Sequence, residues 1–412
     1  MRIAHIITRL IIGGAQENTI LNCEDLIQDY GDDVLLITGP SEGPEGSLLE
    51  RVRSGIHWGT SLREPVSGEK SGTVPYVIVP SMIRAIHPWK DFSAYGKIKK
   101  ILREFKPDVV HTHSAKAGIL GRYAARAVNV PVIVHGVHGA PFYPYQNPLV
   151  RWFYRKCEQA AARKTDGFVS VADAMTDLMV EGKVAPREKF STIYSGMEVE
   201  SFLNSGDLRA ESREKLGISP DKVVIGKAAR LFHLKGHEYV IEAAKEVVRS
   251  CPNAVFLFVG DGILTEPLKK KIREAGLSDY FIFTGLVRPE HIPEMFAAMD
   301  IVVHTSLREG LARVLPQGLL SGKPVVSYDI DGAREVVLDG KTGFLLPPGE
   351  IPRLAEDLIR LVNDPELRAR FGQEGRKRFS KQFDHHFMTE RIRSLYVELL
   401  KKKMELSGGT RR

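Results

Sequence analysis

A chain of 412 residues exceeds what one ordinary hydrophobic core organises and suits two domains of about 150 to 200 residues each. Its 58 lysines and arginines against 51 aspartates and glutamates leave a formal charge of +7, which inclines the surface toward anionic partners; no aromatic-interleaved basic groove or nucleic-acid motif is evident, so no nucleic-acid partner is expected, and acidic lipid and phosphate-bearing small molecules stay open. Cys23, Cys157 and Cys251 lie far apart without His or Cys at metal-ligand spacing, which implies reduced thiols in a cytosolic protein, no disulfide framework and no zinc site.

The apolar start, 3–12, is interrupted by His5, Thr8 and Arg9, has no cleavage site and runs into Gly13-Gly14. It reads as a buried first strand and a glycine turn, not as a signal peptide or membrane span. From there, apolar β-branched runs alternate with stretches of helical period, the pattern of a parallel sheet covered on both faces. Strands are expected at 3–7, 33–37, 77–80, 109–111, 132–135 and 167–171, then at 223–227, 254–259, 281–284, 301–304, 325–327 and 343–346. Two six-strand series predict an α/β protein of two Rossmann-like, doubly wound domains, with a hinge over 193–206.

Between the fifth and sixth strands, 142–156 mixes aromatics with cations around Trp152 and Phe153. Such a blend suits a helix at a membrane interface and equally a helix burying its rings against the first domain, because periodicity does not tell lipid from protein core. After Lys235-Gly236, the stripe Val240, Ile241, Ala244, Val247 and Val248 predicts a helix, as do Met388, Ile392, Leu395, Tyr396, Leu399 and Leu400 near the end. Lys401 to Lys403 suit the negative pole of that last helix, and the final residues are expected to fray.

Ligands of open parallel sheets gather beyond the carboxyl ends of the strands. There stand Gly13-Gly14, His138-Gly139, Arg230 with Lys235, Gly260-Asp261-Gly262, and Glu309-Gly310-Leu311-Ala312. Glu309 reads as the mouth of a short helix, with Gln317 eight positions on, so that helix amides seat a diphosphate while two polar side chains hold other parts of a sugar nucleotide. Plainer readings stand beside these: Glu309 as a first-turn charge, Gln317 facing water, Gly13-Gly14 as a turn that needs glycine for backbone reasons. His135 and His138 are read as sharing a strand face, so that one could be a core histidine; His111 and His113 are lesser candidates.

The ordered set Ala229-Arg230-Leu231, Lys235-Gly236, Gly260-Asp261-Gly262, Thr284-Gly285, Glu309-Gly310 with Gln317, Gly322-Lys323-Pro324-Val325 and Gly340-Lys341-Thr342-Gly343-Phe344 resembles the retaining glycosyltransferases of family four. The first half adds Gly13-Gly14 and the segment from His111-Thr112-His113-Ser114 to Gly121-Arg122. The resemblance spans nearly the whole chain and implies a GT-B architecture: an acceptor-binding domain over 1–195, a nucleotide-sugar-binding domain over 196–380, an interdomain cleft, and a helix over 381–412 crossing back to the first domain. It further implies that Arg230 and Lys235 bind the donor diphosphate, Glu309 the sugar hydroxyls, Gln317 the ribose, the backbone from Gly285 and Leu286 to Arg288 the base, and that His138 reaches the sugar. Where this family usually carries Glu, Gln317 keeps an acceptor carbonyl and loses the charge; Tyr194-Ser195-Gly196 replaces a common Pro-Asn-Gly, and Arg334 stands where Pro is common.

Chemistry asks for the same groups. An oxocarbenium-like state with a departing diphosphate needs cations at the leaving oxygens and a polar sugar face, which two fixed cations and a helix N-terminus supply without a metal or other cofactor. The segment 111–142 resembles members that build lipid-linked saccharides for capsule, exopolysaccharide or lipopolysaccharide. The expected function is transfer of a UDP-linked sugar to such an acceptor by a cytoplasmic enzyme, with peripheral contact to an anionic membrane at its inner face. A non-hydrolysing sugar-nucleotide epimerase, and a nucleotide-sugar-binding protein without transfer activity, remain the alternatives.

Overall fold

The structure is a computed structural model that describes residues 1–41, 46–52 and 74–408; the fraying expected of the final residues falls at 409–412, outside them. Two compact units emerge, one made of Met1–Met197 with His385–Arg412 and the other of Glu198–Asp384.

The first unit holds a seven-stranded parallel sheet of β1 (Arg2–Ile7), β2 (Asp33–Thr38), β3 (Tyr76–Ile78), β4 (Val109–His113), β5 (Val132–Val137), β6 (Gly167–Ser170) and β7 (Phe190–Thr192), in the order β3-β2-β1-β4-β5-β6-β7. Every residue of β4, β5 and β6 is buried, as a sheet covered on both faces requires. The six strands expected here become seven: β7 is a three-residue edge strand, Phe-Ser-Thr, too short and polar to show an apolar run.

The last helix, His385–Gly408, completes this unit. Met388, Ile392 and Tyr396 enter one core with Ile3, Ile20, Cys23 and Leu26. Polar ties fix its register along the helix Gly14–Gln28 and just past it: Thr389 Oγ1 donates to Asp25 at 2.7 Å, Asn22 Nδ2 to Thr389 Oγ1 at 3.0 Å, and Arg393 Nε to Asp32 at 2.8 Å.

The second unit holds six parallel strands: β8 (Val223–Ala228), β9 (Ala254–Val259), β10 (Phe281–Phe283), β11 (Ile301–His304), β12 (Val325–Tyr328) and β13 (Gly343–Leu346), in the order β10-β9-β8-β11-β12-β13. The chain leaves β8 toward β9 on one side and returns to β11 on the other, so the loops after β8 and β11 part at a topological switch point. The stretch 193–206, read as a hinge, is largely structured: Ser195 and Met197 are buried, Val199–Leu203 is helical, and a 3-10 turn begins at Ser205.

Candidate functional site

The loops after β8 and β11 bring Lys235 and Glu309 together. Leu231 anchors the first loop, its amide donating to Asp261 O at 3.0 Å and its carbonyl accepting from Leu264 N at 2.9 Å. Leu234 and Gly236 then take left-handed backbone, φ 66° and 68°. A Cβ on Gly236 would stand 1.9 Å from Thr305 O, so only glycine lets the two loops approach this closely. Leu307 N donates to Leu234 O at 2.8 Å, and Thr305 Oγ1 donates to Gly236 O at 2.6 Å.

Across this seam Lys235 Nζ donates to Glu309 Oε1, with about one fifth of each side chain exposed (21% and 20%). Burial alone would raise the Glu309 carboxyl, but the Lys235 ammonium, helped by His304, holds it well below the usual carboxylate range. His304 Nε2 lies 3.8 Å from Glu309 Oε1, and its Nδ1 meets Ser327 Oγ at 2.9 Å. Beneath the pair, Lys227 is buried and donates to Thr305 Oγ1 at 3.0 Å.

Glu309 does not open a helix. The helix over Val314–Leu320 starts five residues later; Glu309 N is taken by Asp331 Oδ2 at 2.6 Å, and Gly310 O accepts from Gly332 N at 3.3 Å. Tertiary hydrogen bonds hold 309–313 as a loop, which corrects the helix-mouth reading and its alternative of a first-turn charge. Gln317 is half-buried on that helix, not turned fully to water, and among the described residues its side chain forms no hydrogen bond.

Arg230 is exposed, its guanidinium over the Phe232 ring at 5.1 Å, and no carboxylate among the described residues pairs with it. Gly260 (φ 132°) packs so that a Cβ would lie 2.3 Å from Ala229 O, and its amide donates to Gly285 O at 3.1 Å, joining the ends of β9 and β10. The Asp261 carboxylate serves its own loop, accepting from Thr265 Oγ1 at 2.5 Å and Gly262 N at 2.7 Å; these bonds hold its pKa below the ordinary value. Leu286 and Arg288 are exposed beyond Gly285, Arg288 within 3.0 Å of Glu290, while Gly310 and Ala312 are buried and Leu311 is half-buried.

In the first unit, Gly13 caps the helix Gly14–Gln28 with extended backbone (φ 172°), which any residue adopts, so turn geometry alone does not require glycine there. His138 follows β5 and joins a histidine chain: His138 Nε2 meets His113 Nδ1 at 2.9 Å, and His113 Nε2 meets His5 Nδ1 at 3.1 Å. His111 Nδ1 meets Tyr396 OH at 2.6 Å. Burial keeps these imidazoles neutral, His138 pushed down to about 4 and His5 to about 3. His135 does not share that face; it pairs in register beside Thr112, whose Oγ1 lies 2.9 Å from His135 Nδ1, on the opposite side of the sheet from His111 and His113.

Residues 148–156 of the 142–156 segment enter the helix Pro148–Ala162; Phe142 ahead of it is buried, but the helix leaves Trp152 53% exposed and Phe153 48%, with Leu149 beside them. Ile86, Trp89 (81% exposed) and Phe92 form a second apolar group at the start of the helix Pro88–Phe105. Sequence reading passed over that group, as well as Lys227 and His304; the last two carried a signal, a basic residue at or next to the end of an otherwise apolar strand.

A carboxylate and an ammonium at a switch point, an exposed guanidinium on the loop after β8 and glycine-lined strand ends form a site for a ligand with both anionic and hydroxylated parts. Residues 18–196 match the family described as Glycosyl transferase 4-like domain, and residues 209–378 the family described as Glycosyl transferases group 1. The chain belongs to these glycosyltransferases and has the GT-B fold, as its motifs implied.

Among its relatives is the UDP-Gal:alpha-D-GlcNAc-diphosphoundecaprenol alpha-1,3-galactosyltransferase of Escherichia coli, 29% identical over 345 residues, which cover 82% of this chain and 88% of the relative. The capsular polysaccharide biosynthesis glycosyltransferase CapM of Staphylococcus aureus is 26% identical over 335 residues, covering 79% and 85%. The crystal structure of Anabaena HepE in complex with UDP-glucose superposes with a TM-score of 0.78 at 22% identity, over 97% of this chain and all of the other.

Proposed function

We propose that this protein transfers a hexose from a UDP-linked donor to a lipid-linked saccharide in cell-surface polysaccharide synthesis, with retention of anomeric configuration and without a divalent metal. The observation that carries the reading is the Lys235–Glu309 pair at the switch point of β8 and β11. Arg230 and Lys235 hold the diphosphate, Glu309 the sugar hydroxyls and Gln317 the ribose; the strand ends at Gly260, Asp261 and Gly285 to Arg288 frame the nucleoside, and the backbone of Gly310, Leu311 and Ala312 lines the sugar side. Gly13, Gly14 and His138 act in transfer from the N-terminal unit.

In the reaction the bond from the anomeric carbon to the diphosphate oxygen breaks, and the acceptor hydroxyl oxygen bonds that carbon on the same face. Its proton goes to the departing diphosphate, so no separate general base is required. Cations fixed at the leaving oxygens stabilise the charge that develops there. The E. coli relative, which by its name uses UDP-Gal and a diphosphoundecaprenol acceptor, supports the choice of donor and acceptor class.

Among the described residues no helix is long and apolar enough to cross a membrane. The proposed contact with lipid is peripheral, at the cytoplasmic face, through Leu149, Trp152 and Phe153 flanked by Arg151 and Lys156, a mixture suited to an anionic headgroup layer. Flotation with phosphatidylglycerol vesicles should carry the wild type and leave Trp152→Ser/Phe153→Ser behind; equal flotation of both rejects this surface.

A thermal-shift panel of nucleotide sugars tests the donor, since a ligand of the native state raises the melting temperature. A UDP-sugar is expected to stabilise, to be consumed only with a polyprenyl-diphosphate saccharide present, and to give an α-linked product from an α-linked donor by NMR. Conversion of the UDP-sugar to its epimer without acceptor would establish the epimerase instead, and binding without turnover the non-catalytic alternative.

A further inference from the structure

Lys227 is the fifth residue of β8, in register with Phe258 of β9, and 1% exposed. An ammonium in such a place ordinarily has a carboxylate in contact. Here, among the described residues, Nζ has one hydrogen-bond partner, Thr305 Oγ1 at 3.0 Å, and that hydroxyl in turn donates a hydrogen bond to Gly236 O at 2.6 Å. Lys227 thus braces both the turn that carries Lys235 and the start of the loop that carries Glu309.

The charged and titratable groups facing it are Lys235 and Glu309 from those loops, His237 and Glu238 from the helix His237–Ser250, and His304 from β11. Burial first, then Lys235, brings the amine down to about 7 against the opposing pull of Glu309 and Glu238. His237, pushed by burial to about 2, is far harder to protonate.

We propose that Lys227 takes up a proton when the donor diphosphate binds: Lys235 turns from Glu309 to the phosphate oxygens, the ligand adds negative charge beside a carboxylate that has lost its partner, and the neutral amine below becomes ammonium. The proton comes from solvent, and no bond other than N–H forms. This coupling rests on the donor reading above. Its sign is fixed by linkage: the free protein has largely lost this proton above pH 7 and the complex retains it, so donor affinity falls as pH rises.

Calorimetric titration with UDP at pH 8, in HEPES and in Tris, reads the proton count from the difference in buffer ionisation enthalpy. The terminal phosphate of UDP, which ionises near about 6, has none to release at that pH. Wild type should take up close to one proton per UDP and bind up to about tenfold more weakly at pH 9 than at pH 8. Lys227→Met should bind with no uptake and no such pH dependence, as should the permanently charged Lys227→Arg, with melting temperature confirming that each is folded; either variant suffices. Wild-type binding without uptake, or undiminished uptake in a folded variant, which would assign the proton to His304, overturns the coupling. Failure of wild type to bind UDP overturns the donor reading itself.

Discussion

The Lys235–Glu309 pair makes opposite predictions for its two members when UDP alone is the ligand. Without ligand the ammonium is held by a carboxylate at four-fifths burial, so the diphosphate has to draw it away. A hydrogen bond to a charged group is worth about 1.5 to 3 kcal/mol, and partial solvent screening and the residual cation site reduce the net contest to roughly 1 kcal/mol. Glu309→Gln should therefore tighten UDP binding about fivefold. The same substitution should cut transfer, because the sugar hydroxyls lose their acceptor. Lys235→Ala should weaken UDP binding and lower kcat/KM by about 100- to 1,000-fold, the effect of about 2.7 to 4 kcal/mol of lost stabilisation at the leaving group. Calorimetry with UDP at pH 7 and initial rates of transfer separate the two effects. Weaker UDP binding in Glu309→Gln, or unchanged transfer in Lys235→Ala, would refute the assignment of cation to diphosphate and carboxylate to sugar.

Gly236→Ala should reduce transfer at least tenfold and lower the melting temperature, since left-handed backbone costs a β-carbon roughly 1 to 2 kcal/mol and the methyl group would meet Thr305 O; native rates would show that the seam is not tight. The fully buried ion pair of Arg122 with Glu158, 2.7 Å long, predicts that Glu158→Gln destabilises by about 3 to 5 kcal/mol in urea denaturation, whereas Arg122→Met/Glu158→Leu recovers most of the loss. Acid should destabilise the N-terminal unit: unfolded imidazoles ionise near 6.5, while His138 is held to about 4 and His5 to about 3, so stability is full above pH 6.5 and drains as pH falls toward 4. His5→Gln should flatten the urea midpoint between pH 6.5 and 4, and an unchanged slope would place the titration elsewhere.

The strands of both sheets were legible because parallel strands buried on both faces must be apolar runs, and Val223–Ala228 or Ile301–His304 resemble little else. Phe190–Thr192 was not, since an edge strand is stabilised by its neighbour more than by its own side chains. Spacing placed Arg230, Lys235 and Glu309 at strand ends, and the sheet order brings the loops of Lys235 and Glu309 together. The backbone of Glu309 eluded the reading because its amide partner, Asp331, lies 22 residues away and overrides local helix preference. Trp152 and Phe153 left lipid and core indistinguishable until their exposure was known, whereas His135 and His138, three residues apart, fall on opposite faces by strand alternation alone, so the shared face expected of them was a miscount of their spacing.

The helix His385–Gly408 has a consequence for biosynthesis. The second unit is one uninterrupted stretch and emerges from the ribosome whole, whereas the first cannot close until the codons for His385–Gly408 are read. Until then the positions of Met388, Ile392 and Tyr396 stay vacant beside Ile20, Cys23 and Leu26, an oily furrow that a chaperone must cover or a protease will find. A nonsense mutation just before His385 would spare every residue of the donor-side pair and still yield a chain whose first unit never matures.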